Sequence, residues 1–425
     1  MDAKEFLNKW KIDADSLDMD RLVGDFVDHM KHCLRTHDGS LHMIPSYCSA
    51  QAKPVSGETA IVLDAGGTNF RTCLVRFTDQ GPVISDFVKS SMPGSKEEVS
   101  AEGFFKKIAD QVEPFIDKAD HIGFCFSYAT EITPDLDGKP IFFSKEIKAP
   151  QVIGMSLGKS LLAELGRRGH DVASKKVAVV NDTVATLLAG IAGSKGHEYS
   201  SYVGFILGTG TNTAYIEQNE NIPGMGKEGQ QIINVESGCY AISLTELDHR
   251  FLQTTKDPSQ YQFEKMISGA YLGPLCGSFI RQACQENVFS SGFAASFDGM
   301  LDTIEMSRFN ENPFDSSTKL GRIATDEKDK QSLHVIIGEV IRRSAKLTAA
   351  NLASAVIASG KGQDPTRPVL INADGSTFYK TWNLMRYTDF YLYGYLRDKG
   401  LHYEFTQIPD SPTLGAAIAA LDLKS

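Results

Sequence analysis

The stretch Ile61-Val62-Leu63-Asp64-Ala65-Gly66-Gly67-Thr68-Asn69-Phe70-Arg71-Thr72-Cys73-Leu74-Val75 decides how this chain is read. It runs as an apolar strand, a turn carrying one Asp and two Gly, and a second apolar strand, which predicts a tight hairpin. Gly66 and Gly67 lack the Cβ atoms that would keep a phosphate chain away from backbone N–H groups, while Thr68, Asn69 and Arg71 add donors. A carboxylate at the end of a buried strand, here Asp64, can hold a hydrated Mg²⁺ beside such phosphates. A bare Asp-x-Gly-Gly also fits an ordinary hairpin turn, so the phosphate reading depends on what else the chain carries.

A second element repeats the pattern. Ser201-Tyr202-Val203-Gly204-Phe205-Ile206-Leu207-Gly208-Thr209-Gly210-Thr211-Asn212-Thr213-Ala214-Tyr215-Ile216-Glu217 is again a strand, a Gly/Thr turn ending in Asn, and a strand. Two phosphate hairpins in separate halves of one chain predict a duplicated α/β architecture with a nucleotide clamped between the halves. Between them, Val177-Ala178-Val179-Val180-Asn181-Asp182-Thr183-Val184 reads as a buried strand that delivers an Asp and becomes a helix. An acid at a strand end, facing a cleft, is placed for proton transfer.

On these residues the chain resembles the hexokinase family, on the actin-like ATPase (ribonuclease H-like) fold. The likeness runs nearly end to end, from Leu41-His42-Met43-Ile44-Pro45-Ser46-Tyr47 through 64–71, Asn181-Asp182-Thr183, 208–212, 234–238 and 263–269 to Asp374-Gly375-Ser376. Each motif alone is weak; their order and spacing together are specific. The resemblance implies two α/β lobes around a nucleotide and sugar cleft, with ATP and Mg²⁺ as cofactors. It also implies transfer of the γ-phosphoryl group to the 6-hydroxyl of glucose, with mannose or fructose as further acceptors. The expected large lobe is 1–54 plus 183–411, and the expected small lobe is 55–182 plus 412–425.

Composition agrees with a two-core enzyme. The 425 residues exceed one core, the 42% hydrophobic content fills two, and the 23% charged content is ordinary. A net charge of −10 argues against nucleic acid or an anionic membrane as partner, though not against ATP, whose contacts are local. Met1-Asp2-Ala3-Lys4-Glu5-Phe6 has no apolar leader region and no apolar run is long enough to cross a bilayer. The seven cysteines are scattered and odd in number, which suits reduced core thiols and a cytoplasmic setting. The sequence does not fix an oligomeric state.

Helical spacing of Leu22, Phe26, Met30 and Cys33 predicts a helix over 19–35. Strands are expected at 60–64, 71–77, 84–89 and 121–127, and a helix over about 100–117. A long helix from about 330 should end at Gly360, and Ser411-Pro412 should open the last helix as N-cap and N1. By the resemblance that last helix returns to the small lobe. Arg342, Arg343 and Lys346 read as the polar face of the long helix.

A pocket that discriminates a hexose needs carboxylates, amides and a Lys close together, because each hydroxyl both donates and accepts. Ser127, Ser144, Lys145, Asn181, Asp182, Asn212, Glu236 and Glu264 are the candidates, and the resemblance places each on a sugar-contacting position. Asp182 and Lys145 are the expected catalytic residues, with Asp182 accepting the 6-hydroxyl proton. For ATP the expected set is Asp64, Gly66, Gly67, Thr68, Asn69, Arg71, Gly208, Thr209, Gly210, Gly375 and Ser376, and Asp64 should hold Mg²⁺ through water. A helix start after Asp374 can serve the α-phosphate.

Other readings are weaker. Gly154-Met155-Ser156-Leu157-Gly158-Lys159-Ser160 has three residues between its glycines, where a P-loop needs four, and is expected to start a helix. His29, His32 and Cys33 lack the second cluster that a metal site requires. A sugar sensor, or an actin- or chaperone-like ATPase switch, would use the same clamp. A pure sensor would not need a base at Asp182, and a switch would not need Lys145, Asn212, Glu236 and Glu264. Departures from the family pattern fall at Tyr128-Ala129-Thr130-Glu131 after Ser127, at Ser144, at Ser237, and at Pro412-Thr413-Leu414-Gly415, where a Lys is lost.

Overall fold

A computed structural model describes residues 1–52, 54–143, 147–194 and 196–423. Its strands are β1 (Ile44–Pro45), β2 (Thr59–Gly66), β3 (Asn69–Thr78), β4 (Gly81–Ser91), β5 (His121–Phe126), β6 (Thr130–Ile132), β7 (Gly138–Pro140), β8 (Lys176–Val180), β9 (Ser201–Leu207), β10 (Thr211–Gln218), β11 (Gln230–Asn234), β12 (Val369–Asp374) and β13 (Tyr403–Thr406). One sheet has the order β4-β3-β2-β5-β8 and the other β1-β11-β10-β9-β12-β13, while β6 and β7 pair separately. In the first, β2, β3 and β4 form an antiparallel meander and β5 and β8 add in parallel. In the second, β9, β10 and β11 form the meander and β12 and β13 add in parallel. Strand for strand the two sheets share one topology, which is the duplication that the two Gly hairpins predict; β1 is an extra edge strand.

Each repeat closes with a helix, and the two helices are exchanged. Asp182–Gly193 follows β8 but packs on β9, β10 and β12, whereas Ser411–Asp422 follows β13 but packs on β2, β5 and β8. Both sequences are apolar on every side, as a helix buried between two sheets must be. They form one core with the facing sides of both sheets, including Val62, Cys125, Val180, Leu187, Ala214, Ile232 and Ile418. Glycine permits the closeness: a Cβ at Gly415 would run into the Ala185 backbone, and one at Gly123 of β5 into the Ala416 carbonyl.

The helix Met19–Thr36 packs on the long helix Glu327–Ala358, which is about 48 Å from its 32 residues. Gly360 has φ 65° just beyond the long helix, the left-handed stop expected there. The helix expected over 100–117 ends at Val112 and continues as the 3₁₀ turn Glu113–Phe115, because Pro114 has no N–H for the α-helical ladder. Ser411 is not the N-cap. It is the first helical residue, and its buried hydroxyl donates to Ile408 O at 2.6 Å and accepts from Asn372 Nδ2 at 3.0 Å.

One further reading changes in detail and another holds. Arg343 is not on a solvated face: its guanidinium donates to both Asp248 carboxylate oxygens at 2.8 and 2.6 Å, and both residues are buried. Leu157–Arg167 is the helix expected near Gly154, and Asp137 accepts from Gly158 N at 2.7 Å and Lys159 N at 3.1 Å. The protein's own carboxylate thus fills the place an anion would take in a P-loop. Among the described residues no helix is long and apolar enough to cross a membrane.

Candidate active site

The chemistry-bearing residues collect where strands end. β2 leads to Asp64 and Gly66, β5 to Ser127, β8 to Asn181 and Asp182, β9 to Gly208 and β12 to Asp374. In open α/β sheets this carboxyl edge is where ligands bind.

Asp182 opens the helix Asp182–Gly193, and Asn181 caps it by accepting from Thr183 N at 2.8 Å. Asp182 accepts hydrogen bonds from Ser127 and from Thr183 Oγ1, the latter at 3.2 Å. Burial pushes its carboxyl above the usual range; the Ser127 and Thr183 hydrogen bonds oppose that rise and the charge of Asp374 adds to it. Asp64 sits opposite Arg71 in the β2–β3 ladder, with Arg71 Nη1 3.4 Å from Asp64 Oδ2. Burial raises Asp64 to about 6, against the pull of Arg71 and with help from Asp182. Glu236 is pushed to about 7 by burial, with Asn234 opposing and Asp182 and Glu264 adding repulsion.

An amide chain ties the sugar candidates together. Asn212 Nδ2 donates to Asn234 Oδ1 at 2.7 Å and reaches Asn181 Oδ1 at 3.4 Å. Its Oδ1 accepts from Thr213 N at 2.7 Å and Ser237 N at 3.3 Å. Asn234 Nδ2 then donates to Glu236 Oε1 at 2.8 Å. Glu236 holds a left-handed backbone, φ 55°, that a non-Gly residue adopts at a cost of order 1 kcal/mol. Glu264 Oε2 accepts from Thr211 N at 3.1 Å, and a Cβ at Gly210 would lie 2.6 Å from that oxygen. Hydrogen bonds therefore link Ser127, Asp182, Asn181, Asn212 and Glu236 through Thr183 and Asn234, and Glu264 is held beside them on Thr211 N. Ser144 and Lys145 lie outside the described residues.

The nucleotide candidates fall on strand-end turns in both repeats. Gly67 has φ 57°, and a Cβ at Gly66 would stand 3.5 Å from Asp64 Oδ1 and 3.7 Å from Ser127 Oγ. A cavity of about 530 Å³ beside this turn is lined by Thr68, Asn69, Lys89, Ser90, Ser91, Ser95 and Lys96. In the other repeat, Gly208 O accepts from Gly269 N at 2.9 Å and Thr377 Oγ1 at 2.8 Å, and Thr209 O from Ala270 N at 3.1 Å. Gly375, φ 115°, lies so close to the Leu207 carbonyl that a Cβ would collide with it, while Ser376 opens the one-turn helix Ser376–Lys380. Gly-lined turns, a hydroxyl-rich basic cavity and a carboxylate at Asp64 fit a nucleotide with its divalent cation.

Sequence reasoning missed Asn234, Tyr128, Lys89 and Lys96. Asn234 was detectable, since it ends a strand two residues before Glu236. Lys89 lies opposite Arg71 in the β3–β4 ladder, so the expected meander carried its signal, whereas Lys96 follows the turn held by the bond from Met92 N to Thr68 O at 2.9 Å.

Duplicated sheets with exchanged helices and Gly turns at their strand ends define an actin-like, two-lobed α/β protein. Two hexokinase family models match the sequence, one over residues 2–192 and the other over 202–422, and the chain belongs to the hexokinase family. Human hexokinase-2 is 30% identical over 367 residues, which are 80% of this chain and 39% of that protein. Hexokinase-2 of Solanum tuberosum is 27% identical over 383 residues, 81% of this chain and 75% of its own length. Human hexokinase-3 matches at 34% over 57% of this chain, and only 27% of its length is spanned. A solved hexokinase from Schistosoma mansoni, complexed with glucose, superposes with TM-score 0.79 at 23% identity, covering 99% of this chain and 98% of that one. A second solved hexokinase gives 0.80 at 22%, covering 99% of each chain.

Proposed function

We propose that this chain transfers the γ-phosphoryl group of ATP to the 6-hydroxyl of a hexose, with glucose and mannose preferred and fructose a further acceptor. The observation that carries this is Asp182: a carboxyl raised by burial, held by Ser127 and Thr183, between the Gly turns and the Asn181-Asn212-Asn234-Glu236 chain. Asp182 accepts the 6-hydroxyl proton as that oxygen bonds to the γ-phosphorus and the bridging oxygen leaves with ADP. Such general-base help is worth about 10²–10⁴-fold. A raised carboxyl is the stronger base for it. Glu236, Glu264, Asn181 and Asn212 hold the ring hydroxyls, and Ser144 and Lys145 join them by resemblance. Gly66–Asn69 amides, Arg71, Thr209, Gly375 and Ser376 orient the phosphates. Mg²⁺, bound through water to Asp64, would neutralise phosphate charge.

In this reading 1–54 plus 183–411 form the large lobe and 55–182 plus 412–425 the small one, and the lobes close on the sugar. The seven unpaired cysteines support a reducing, cytoplasmic setting. A coupled assay for ADP release with a panel of hexoses tests the function. Sugar-dependent release with glucose or mannose is expected. ADP release indifferent to sugar points to an ATPase switch, and sugar binding without release to a sensor. A kcat/KM for N-acetylglucosamine above those of both glucose and mannose overturns the substrate assignment alone.

A further inference from the structure

Tyr128 follows Ser127, whose side chain hydrogen-bonds Asp182, and its own hydroxyl donates to the Gly67 carbonyl at the tip of the phosphate hairpin. Its buried ring packs on Phe126 and Phe143, with centroids 5.0 and 5.4 Å away. A backbone bond from Ser127 N to Ala65 O at 3.1 Å is a second tie between the same loop and the same hairpin. The C=O and N–H of a trans peptide point in opposite directions. Holding the Gly67 carbonyl toward Tyr128 therefore turns the Thr68 N–H to the other side of the turn. Thr68 O is in turn held by Met92 N, so the next peptide is fixed as well. Thr68 and Asn69, whose amides these two carbonyl bonds orient, border the basic cavity with Lys89 and Lys96.

We infer that Tyr128 is a positioning residue that couples the sugar loop to the phosphate hairpin, and that its hydroxyl aims the Thr68 amide at the nucleotide phosphates. The inference rests on the hexose kinase reading above. Its chemistry is specific: the ring fixes the loop that holds Ser127, and one O–H transmits that position to Gly67. Sugar that orders residues 127–128 thereby tightens nucleotide binding, without any contact between Tyr128 and either substrate.

Tyr128→Phe removes the hydroxyl and keeps the ring in its aromatic cluster, so the variant retains its packing; an unchanged thermal midpoint to within a few degrees checks this. Steady-state constants for glucose and MgATP are measured on the whole chain, wild type and variant. Dissociation constants for Mg²⁺ with the β,γ-imido analogue of ATP are measured by calorimetry with and without saturating glucose. Losing one neutral hydrogen bond should raise the MgATP KM about three- to tenfold and leave the glucose KM within about twofold. The gain in analogue affinity that glucose confers on the wild type should shrink by a similar factor. An MgATP KM within about twofold of wild type overturns the inference, and so does a parallel rise in the glucose KM, the mark of a merely structural role. Should the wild type release no ADP with any hexose, the kinase reading fails, and the analogue constants still decide whether Tyr128 couples sugar to nucleotide.

Discussion

Carboxylates crowd the site: burial raises Asp64, Asp182 and Glu236, and charge adds to it, Asp182 on Asp64 and Glu236, Glu264 on Glu236, and Asp374 on Asp182. For Asp182 the raised value brings a carboxylate nearer the strength needed to accept a hydroxyl proton. Asp182→Ala should lower kcat by about 10²-fold or more while fold and glucose affinity persist, because a general base acts mainly in the transition state. A variant retaining over about a tenth of wild-type kcat would remove Asp182 from that role. Glu236 shows the cost of the arrangement. Its folded value, about 7, lies above the ordinary 4.5, so the native state binds this proton more tightly than the unfolded chain. Stability on this account falls as pH rises from 4.5 to about 7, and the full penalty remains above that. Glu236→Gln should therefore be more stable than wild type at pH 8, by on the order of 1 kcal/mol, and lose that advantage toward pH 4.5. Its kcat/KM for glucose should fall sharply, since the amide replaces an acceptor with a donor. Thermal melts at the two pH values decide it; an equal or lower midpoint for the variant at pH 8 contradicts the raised value.

At the scale of elements, the crossing of Asp182–Gly193 and Ser411–Asp422 joins the two repeats. Gly415 lies on the Ala185 backbone, where a Cβ has no room, and backbone cannot move aside as a flexible side chain can. Gly415→Ala should thus destabilise by about 1–3 kcal/mol or more through overpacking, read as a lower urea midpoint at unchanged slope. A midpoint equal to wild type would show that the helices separate easily. This crossing also marks the limit of the sequence. Apolar runs and Gly turns made β2, β3, β8, β9 and β10 legible, with Asp64, Asp182 and the Gly sets at their ends, because period and turn chemistry are local. What long-range packing decides was not. Asp248 lies 95 residues from Arg343, and nothing in the pattern Arg342-Arg343-Lys346 distinguishes a buried ion pair from a wet helix face. Ser411 before Pro412 looks like an N-cap, yet Asn372, 39 residues earlier, takes its hydroxyl as a partner. Tyr128 reads as a loop residue until the fold sets it against Gly67.

The exchange of helices shapes what the whole molecule can do. Each sheet carries the other repeat's closing helix, so relative motion of the sheets has to pass through the crossing of these two helices and the strand ends that lead into them, at 181–182 after β8 and 408–411 after β13. Both ends are chemically engaged: Asn181 caps one helix and reaches Asn212, while Asn372 on β12 accepts from Ile408 N at 3.2 Å and donates to Ser411 Oγ. In the proposed reading, a sugar held by Asn181 and Asp182 on one side and Glu236 and Glu264 on the other would draw the sheets together across this hinge. Such closure would exclude water from the γ-phosphate and limit idle ATP hydrolysis. Glucose alone should accordingly reduce the radius of gyration in small-angle scattering. Asp182→Ala keeps most of those bridging groups and should still contract with glucose, which separates closure from proton transfer. A radius unchanged by saturating glucose, in protein that phosphorylates it at full rate, would mean that catalysis proceeds without sheet closure.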